Sequence, residues 1–198
     1  MAITYKDVFS EYEIKESSIK IEGEETFEKI GCVGSIEETL ETITVTKKCE
    51  GLVVKSVTRG SGNGEVKLSL HMRYDLYTKM FGMEDETLAD GVLGYGQNSR
   101  HKNFAFVAKV KDEDANVKYI AYPKLIIQSG PTNKIENGAE EVAEIEITAT
   151  VQPDENGFAK YEALDTLLDT TLKGKWMTEF TSDLAKKTRA YLAKKTRA

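Results

Sequence analysis

Two histidines, two cysteines, one acidic run and two glycine-rich stretches are the features of this 198-residue chain that could carry chemistry. His71 and His101 stand thirty residues apart, with no cysteine or carboxylate at the spacing of a zinc site. Histidines so placed read as structural or surface residues. The run KDEDANV starts as a calcium loop does, offering Asp112, Asp114 and Asn116 as alternate oxygen donors. It then departs from that pattern, because Val117 stands where the loop needs glycine and Pro123 where the closing glutamate belongs. A hairpin turn accounts for it better. Neither GSGNG at 60–64 nor GYGQN at 94–98 is a phosphate loop: no Gly-Lys-Ser/Thr follows the first, and the second opens no helix. Cys32 and Cys49 lack a nucleophile context, and no G-x-S-x-G is present. Carboxylates are abundant, which usually means solvation. The expectation is a chain with no enzymatic activity, no cofactor and no bound metal.

The elements that surround these residues are easier to read. In EVKLSLHM, Val66, Leu68, Leu70 and Met72 fall on one face and Glu65, Lys67, Ser69 and His71 on the other, the period of a half-buried strand. RYDLYTKMFG changes rhythm, gathering Tyr74, Tyr77, Met80 and Phe81 on one side of a helix that ends near Gly82 and should cover a sheet. NFAFVAKV, the turn KDEDAN and VKYIAYPKLIIQ read as a hairpin, with Pro123 marking an edge or a bulge. EEVAEIEITATV alternates most cleanly: Ala143, Ile145, Ile147, Ala149 and Val151 oppose Glu144, Glu146, Thr148 and Thr150.

Around this centre the chain divides into an N-terminal arm (1–17), a β-rich body (18–183) and a basic C-terminal tail (184–198). Residues 36–72 read as an extended hairpin or a long loop, with GSGNG as a turn of small residues. A short helix is expected around 164–168, then a final strand carrying Trp176 and Phe180, with Trp176 as a core or interface anchor. The tail is the repeat LAKKTRA, Tyr191, LAKKTRA. It reads either as a solvated terminus or as a segment that docks on an acidic neighbouring subunit.

Length and charge set bounds. A chain of this size buries roughly 70% of its unfolded surface and needs no disulfide staples, so two reduced thiols in a cytosolic setting are expected. No apolar run reaches membrane-spanning length, and no export signal is visible. The net charge is −6, but the last fifteen residues hold six of the 27 basic residues and none of the 33 acidic ones. The rest is strongly acidic, with 21 basic against 33 acidic residues. Such a body repels nucleic acid, which argues against tight DNA binding and suits a surface that DNA must slide past.

The order of elements, from a long projecting β segment through EVKLSLHM, RYDLYTKMFG, LGYGQNSRHKN and the NFAFVAKV hairpin to the phrase E-x-x-E-I-E-I-T-A-T-V-x-P-D, resembles the major tail (tail tube) proteins of long-tailed bacteriophages, especially those infecting Gram-positive hosts. The resemblance spans about residues 20–180 and implies a mainly β fold: a β-sandwich of two packed sheets flanked by one short helix, with a long projecting hairpin. It implies a virion protein assembled in the host cytoplasm into stacked, hexameric rings, forming a hollow tube through which DNA passes to the host. Its partners would be further copies of itself, the tape measure, tail terminator and distal tail proteins, and DNA in transit, with no membrane. Carried onto this chain, Glu144, Glu146, Thr148 and Thr150 are lumen-facing candidates or an ordinary solvated face. Glu41, Thr44, Thr46, Lys47, Lys48, Lys55 and Arg59 are ring-stacking candidates. Lys186, Lys187, Arg189, Tyr191, Lys194, Lys195 and Arg197 are candidates for contact between subunits. Alternatives are the tube protein of a contractile injection or secretion system and a monomeric carbohydrate-binding β-sandwich.

Overall fold

A computed structural model describes residues 3–135, 137–138 and 142–186. Its strands are β1 (Glu13–Ile21), β2 (Glu28–Lys29), β3 (Gly31–Cys49), β4 (Leu52–Met72), β5 (Asn103–Lys111), β6 (Val117–Ile127), β7 (Ile145–Val151) and β8 (Tyr161–Leu164). Helix α1 (Tyr74–Phe81) follows β4; a 3-10 turn (Asp165–Leu167) and helix α2 (Thr170–Trp176) follow β8. The mainly β class is as the sequence implies. The described strands hydrogen-bond into one antiparallel sheet, ordered β2-β1-β5-β6-β7-β4-β3 with β8 beside β6, where two packed sheets and one helix were expected. The sheet bends until both halves serve a single core. Ile19 and Ile21 of β1, Leu68 and Leu70 of β4, Phe106 of β5 and Ile147 of β7 belong to one buried cluster.

The period-two pattern decides which side chains enter that core. Val66, Leu68 and Leu70 are buried while Lys67 is exposed, and Ile147, Ala149 and Val151 are buried while Glu146 is exposed. Each large aliphatic side chain so placed contributes about 1.5–3 kcal/mol. The regular strand begins only at Ile145, leaving Ala143 and Glu144 ahead of it.

Helix α1 lies where its spacing put it, but its apolar arc is rotated. Leu76, Tyr77, Met80 and Phe81 are buried, and Tyr74 is 69% exposed, because a first-turn residue lies outside the arc that reaches the sheet. Gly82 ends the helix at φ 60, and a Cβ there would fall 2.3 Å from the Arg100 carbonyl oxygen. Pro123 sits in a bulge, one residue of β5 facing two of β6, where β6 changes neighbour from β8 to β7. β6 is therefore not an edge strand.

The expected final strand is replaced by helix α2. Asp169 caps it, accepting from the Thr171 N–H at 2.8 Å. Trp176 is buried and donates Nε1–H to the Ile120 carbonyl at 3.2 Å, packing with Phe180, Tyr119, Val107 and Phe27 as a second apolar cluster on the outer face of β5–β6. The N-terminal segment also follows its own body: Tyr12 N–H donates to Lys111 O at 2.8 Å, Glu11 pairs with Lys118, and Ile3 is buried.

Candidate assembly site

The β3–β4 ladder runs from Gly31↔Met72 to Cys49↔Leu52 with three shifts of register, but β7 pairs with β4 only from Gly64 to Leu70. Beyond that point the two strands stand free. Residues 41–49 and 52–60 thus form a ribbon about 30 Å long at ~3.3 Å per residue. The turn is Glu50–Gly51, with φ of 50 and 83, the pair of positive angles that a two-residue hairpin turn requires. GSGNG, expected to be the turn, is instead a bulge: Leu40 faces Gly64 and Thr42 faces Gly60, so Ser61, Asn63 and Gly62 (φ 83) loop out where the ribbon leaves the sheet.

Each residue of the ribbon is exposed. One face is hydroxyl-rich: Thr44 and Thr58 hydrogen-bond through their Oγ1 atoms at 2.8 Å, and Thr46 faces Ser56. The other sets Ile43 against Arg59, Val45 against Val57 and Lys47 against Lys55. Val45 is 60% exposed and Val57 48%. Lys48 faces Val53 near the turn, and Glu41 lies unpaired in the bulge. The seven candidates are therefore gathered on one projection. The sequence reading missed the apolar residues between them, Ile43, Val45 and Val57, although the alternation TITVT signals them.

A second surface lies at the ribbon's root. Across β3, β4 and β7, Ser35, Ser69 and Glu146 align, as do Glu37, Lys67 and Thr148, and Thr39, Glu65 and Thr150. These point away from the core, and no member of either apolar cluster lies among them. Glu146, Thr148 and Thr150 thus share one polar face. Glu144 lies beside it, with its carboxylate filling the space over Gly34. Lys67 and Glu65 pair at 3.6 Å.

The residues with chemical potential are used structurally or stand apart. His101 bridges the Ile127 carbonyl (Nδ1, 2.8 Å) and the Tyr95 hydroxyl (Nε2, 2.9 Å). His71 faces Cys32 across the ladder, both exposed. Asp112 spends its carboxylate on the turn, accepting from Asp114 N–H, Asn116 N–H and Asn116 Nδ2, and no metal-ligating cluster occurs among the described residues. Cys49 sits exposed at the ribbon's tip. Burial and then the neighbouring Asp165 push the Tyr119 hydroxyl up to about 12; burial and then a hydrogen bond to Glu38 push Tyr122 up as well. Of the tail candidates, Lys186 is exposed and pairs with Asp183 at 2.8 Å; Lys187, Arg189, Tyr191, Lys194, Lys195 and Arg197 lie outside the described residues.

No family model and no curated protein matches the chain. Among solved structures it is similar to the anti-feeding prophage cap, the cap terminating the AFP tube. The TM-score is 0.40 at 13% sequence identity, over 83% of this chain and 99% of that one.

Proposed function

We propose that the chain is a non-catalytic structural subunit of a phage-tail-like tube, joined to copies of itself through the β3–β4 ribbon. One observation carries this reading: a two-stranded ribbon with no third strand and no packed face is marginal in water, yet this one exposes Ile43, Val45, Val57 and Leu52 over its length. Burial against a neighbour supplies what the isolated subunit lacks. A ring of identical contacts is the closed arrangement such a projection suits, and hexameric stacking is the form that the sequence resemblance implies.

In that assembly the polar face of Glu146, Thr148 and Thr150 lines the lumen, where carboxylates and hydroxyls keep DNA from adhering. The subunit works in the virion beside the tape measure, terminator and distal tail proteins. A contractile injection or secretion tube would use the same ribbon. A carbohydrate platform is less well supported, since Trp176 is only 2% exposed.

The test is negative-stain microscopy with sedimentation, on the full chain and on a variant lacking residues 42–59. Rings or tubes are expected from the full chain and folded monomers from the variant. A full chain that stays monomeric at all concentrations, or a variant that assembles equally well, overturns the proposal.

A further inference from the structure

The antiparallel strand order gives the sheet two ends. At one, β3 and β4 continue into the ribbon, β7 stops at Val151, β1 begins and the Asp112–Asn116 turn joins β5 to β6. At the other, β4 stops at Met72, β6 stops at Ile127 and β5 begins at Asn103. Helix α1 is held at this second end, where Arg73 and Lys79 pair with Glu28 and Glu24 of the β1–β2 segment, each at 2.8 Å. Residues 83–102 run from that helix to β5 and so lie at the end of the sheet opposite the ribbon. They form a packed loop: Gly94 donates its N–H to Met83 O and Lys102 its N–H to Met80 O, both at 3.0 Å, and Leu88 lies over Gly94. Even so, Leu88, Val92 and Tyr95 are 39–53% exposed, and Glu84, Glu86 and Asp90, which interleave with them along the chain, are exposed as well. Asp85 accepts from the Thr87 N–H and hydroxyl. None of these four carboxylates forms an ion pair among the described residues, and Arg100 and Lys102 on the returning limb reach none of them. The ribbon mirrors this pattern with the opposite sign: exposed Ile43, Val45 and Val57 stand among Lys47, Lys55 and Arg59, which likewise form no ion pair among the described residues.

We propose that residues 84–95 are the surface that receives the ribbon of a second copy of this chain. This receiving site rests on the ribbon-mediated assembly proposed above. Apolar side chains meet apolar side chains in such a contact, and unpaired lysines meet unpaired carboxylates, which fixes the register and excludes like-charged surfaces. Lying at opposite ends of the sheet, ribbon and loop cannot meet within one subunit. Between copies they make a heterologous contact, able to repeat head to tail from each subunit to the next. The N-terminal segment is the competing surface, for its Tyr5, Val8 and Tyr12 are also exposed. It leaves from the ribbon's own end of the sheet, however, and its Glu11 and Glu13 are already matched by Lys118 and Lys15.

The experiment exchanges the signs of the two surfaces in the full-length chain. One variant carries Glu84→Lys, Glu86→Lys and Asp90→Lys, a second Lys47→Glu, Lys48→Glu and Lys55→Glu, and a third all of these together. Sedimentation reads the concentration at which half of each protein is assembled. That concentration is expected to rise about tenfold or more in the loop variant and in the ribbon variant, and to return to within about threefold of wild type in the combined chain. An equal mixture of the loop and ribbon variants should also assemble, since each supplies the sign that the other needs. Carbodiimide coupling of isotope-labelled with unlabelled wild type should join ribbon lysines to Glu84, Glu86 or Asp90 of another copy. Thermal unfolding confirms that the variants fold. A wild type that stays monomeric overturns the assembly reading and the receiving site together. Where the wild type assembles, a loop variant that assembles equally well, a combined chain that does not recover, or coupling to Glu11 or Glu13 instead overturns the receiving site alone.

Discussion

The root and the tip of the β3–β4 ladder are built from the same two strands with the same backbone hydrogen bonding, yet they have opposite surroundings. At the root, Val66, Leu68 and Leu70 are at most 1% exposed and β7 adds a third strand. At the tip, Ile43, Val45 and Val57 are 43–60% exposed, with solvent on both faces. The β3–β4 pairing is thus common to both, and the third strand with the burial it brings distinguishes the root from the tip. The bulge at residues 61–63 marks the boundary. In the proposed assembly the bare half of the ladder finds its apolar partner on a neighbouring subunit.

The largest test of that contrast is a pair of truncations. Leu68→Ala should lower the unfolding free energy by about 2–5 kcal/mol in urea titrations, the range for a buried leucine. Val45→Ala should change it by less than about 0.5 kcal/mol in the isolated subunit, as surface changes do, while reducing assembly. Equal costs in the monomer would erase the distinction between root and tip.

Two glycines sharpen it next. Gly31 at the root has φ 133, and a Cβ there would meet the His71 carbonyl oxygen at 2.0 Å; Gly31→Ala should cost about 2–3 kcal/mol. Gly51 at the tip has φ 83 but nothing within 4 Å, so Gly51→Ala should cost only about 1 kcal/mol, read by the same titration.

The root was largely legible in the sequence and the tip only in part, for a physical reason. Val66 to Leu70 and Ile147 to Val151 alternate because one face of each strand is buried, and burial writes a period of two; Phe104 to Val110 keeps that pattern only in part, since Val107 is buried on the opposite face in the cluster around Trp176. The tip's turn escaped because Glu50–Gly51 is a weaker turn signal than the GSGNG that turned out to be a bulge. Leu168, Leu172, Trp176 and Phe180 recur every four residues, a helical signal that the strand reading of Trp176 passed over. The joining of all strands into one sheet, and the placing of residues 83–102 at the end opposite the ribbon, depend on pairings between distant segments that no local pattern records.

On the covered side of the molecule, alkaline pH provides a gentler probe. Burial, helped by Asp165, raises the Tyr119 hydroxyl to about 12, so the folded state holds that proton more tightly than the unfolded chain does. Its contribution is fully present below about pH 10, the ordinary phenol value, and is lost as pH climbs through 12. Circular dichroism should therefore change above about pH 10, with a smaller loss of stability in Tyr119→Phe, and the part of the tyrosinate absorbance that this variant removes should rise together with it. If that difference absorbance rises while the fold persists, Tyr119 is open to water.

The smallest effect is the most telling about the tip. Lys47 and Lys55 face one another across the ribbon, a like-charge pair that weakens a two-stranded ladder. Lys55→Glu replaces it with an opposite pair and should stabilise the ribbon by about 0.2–1 kcal/mol, slowing amide exchange at residues 44–58 of the isolated subunit. If the proposed assembly holds, the same change should weaken it, because the ribbon carries Lys47, Lys48, Lys55 and Arg59 against Glu41 and Glu50, while the rest of the chain up to residue 183 is acidic. A subunit that worked alone would gain from the glutamate. Two lysines kept opposite each other make sense where a carboxylate-bearing neighbour lies between them, and a Lys55→Glu protein that assembles as well as the wild type would show that the neighbour reads only the apolar face.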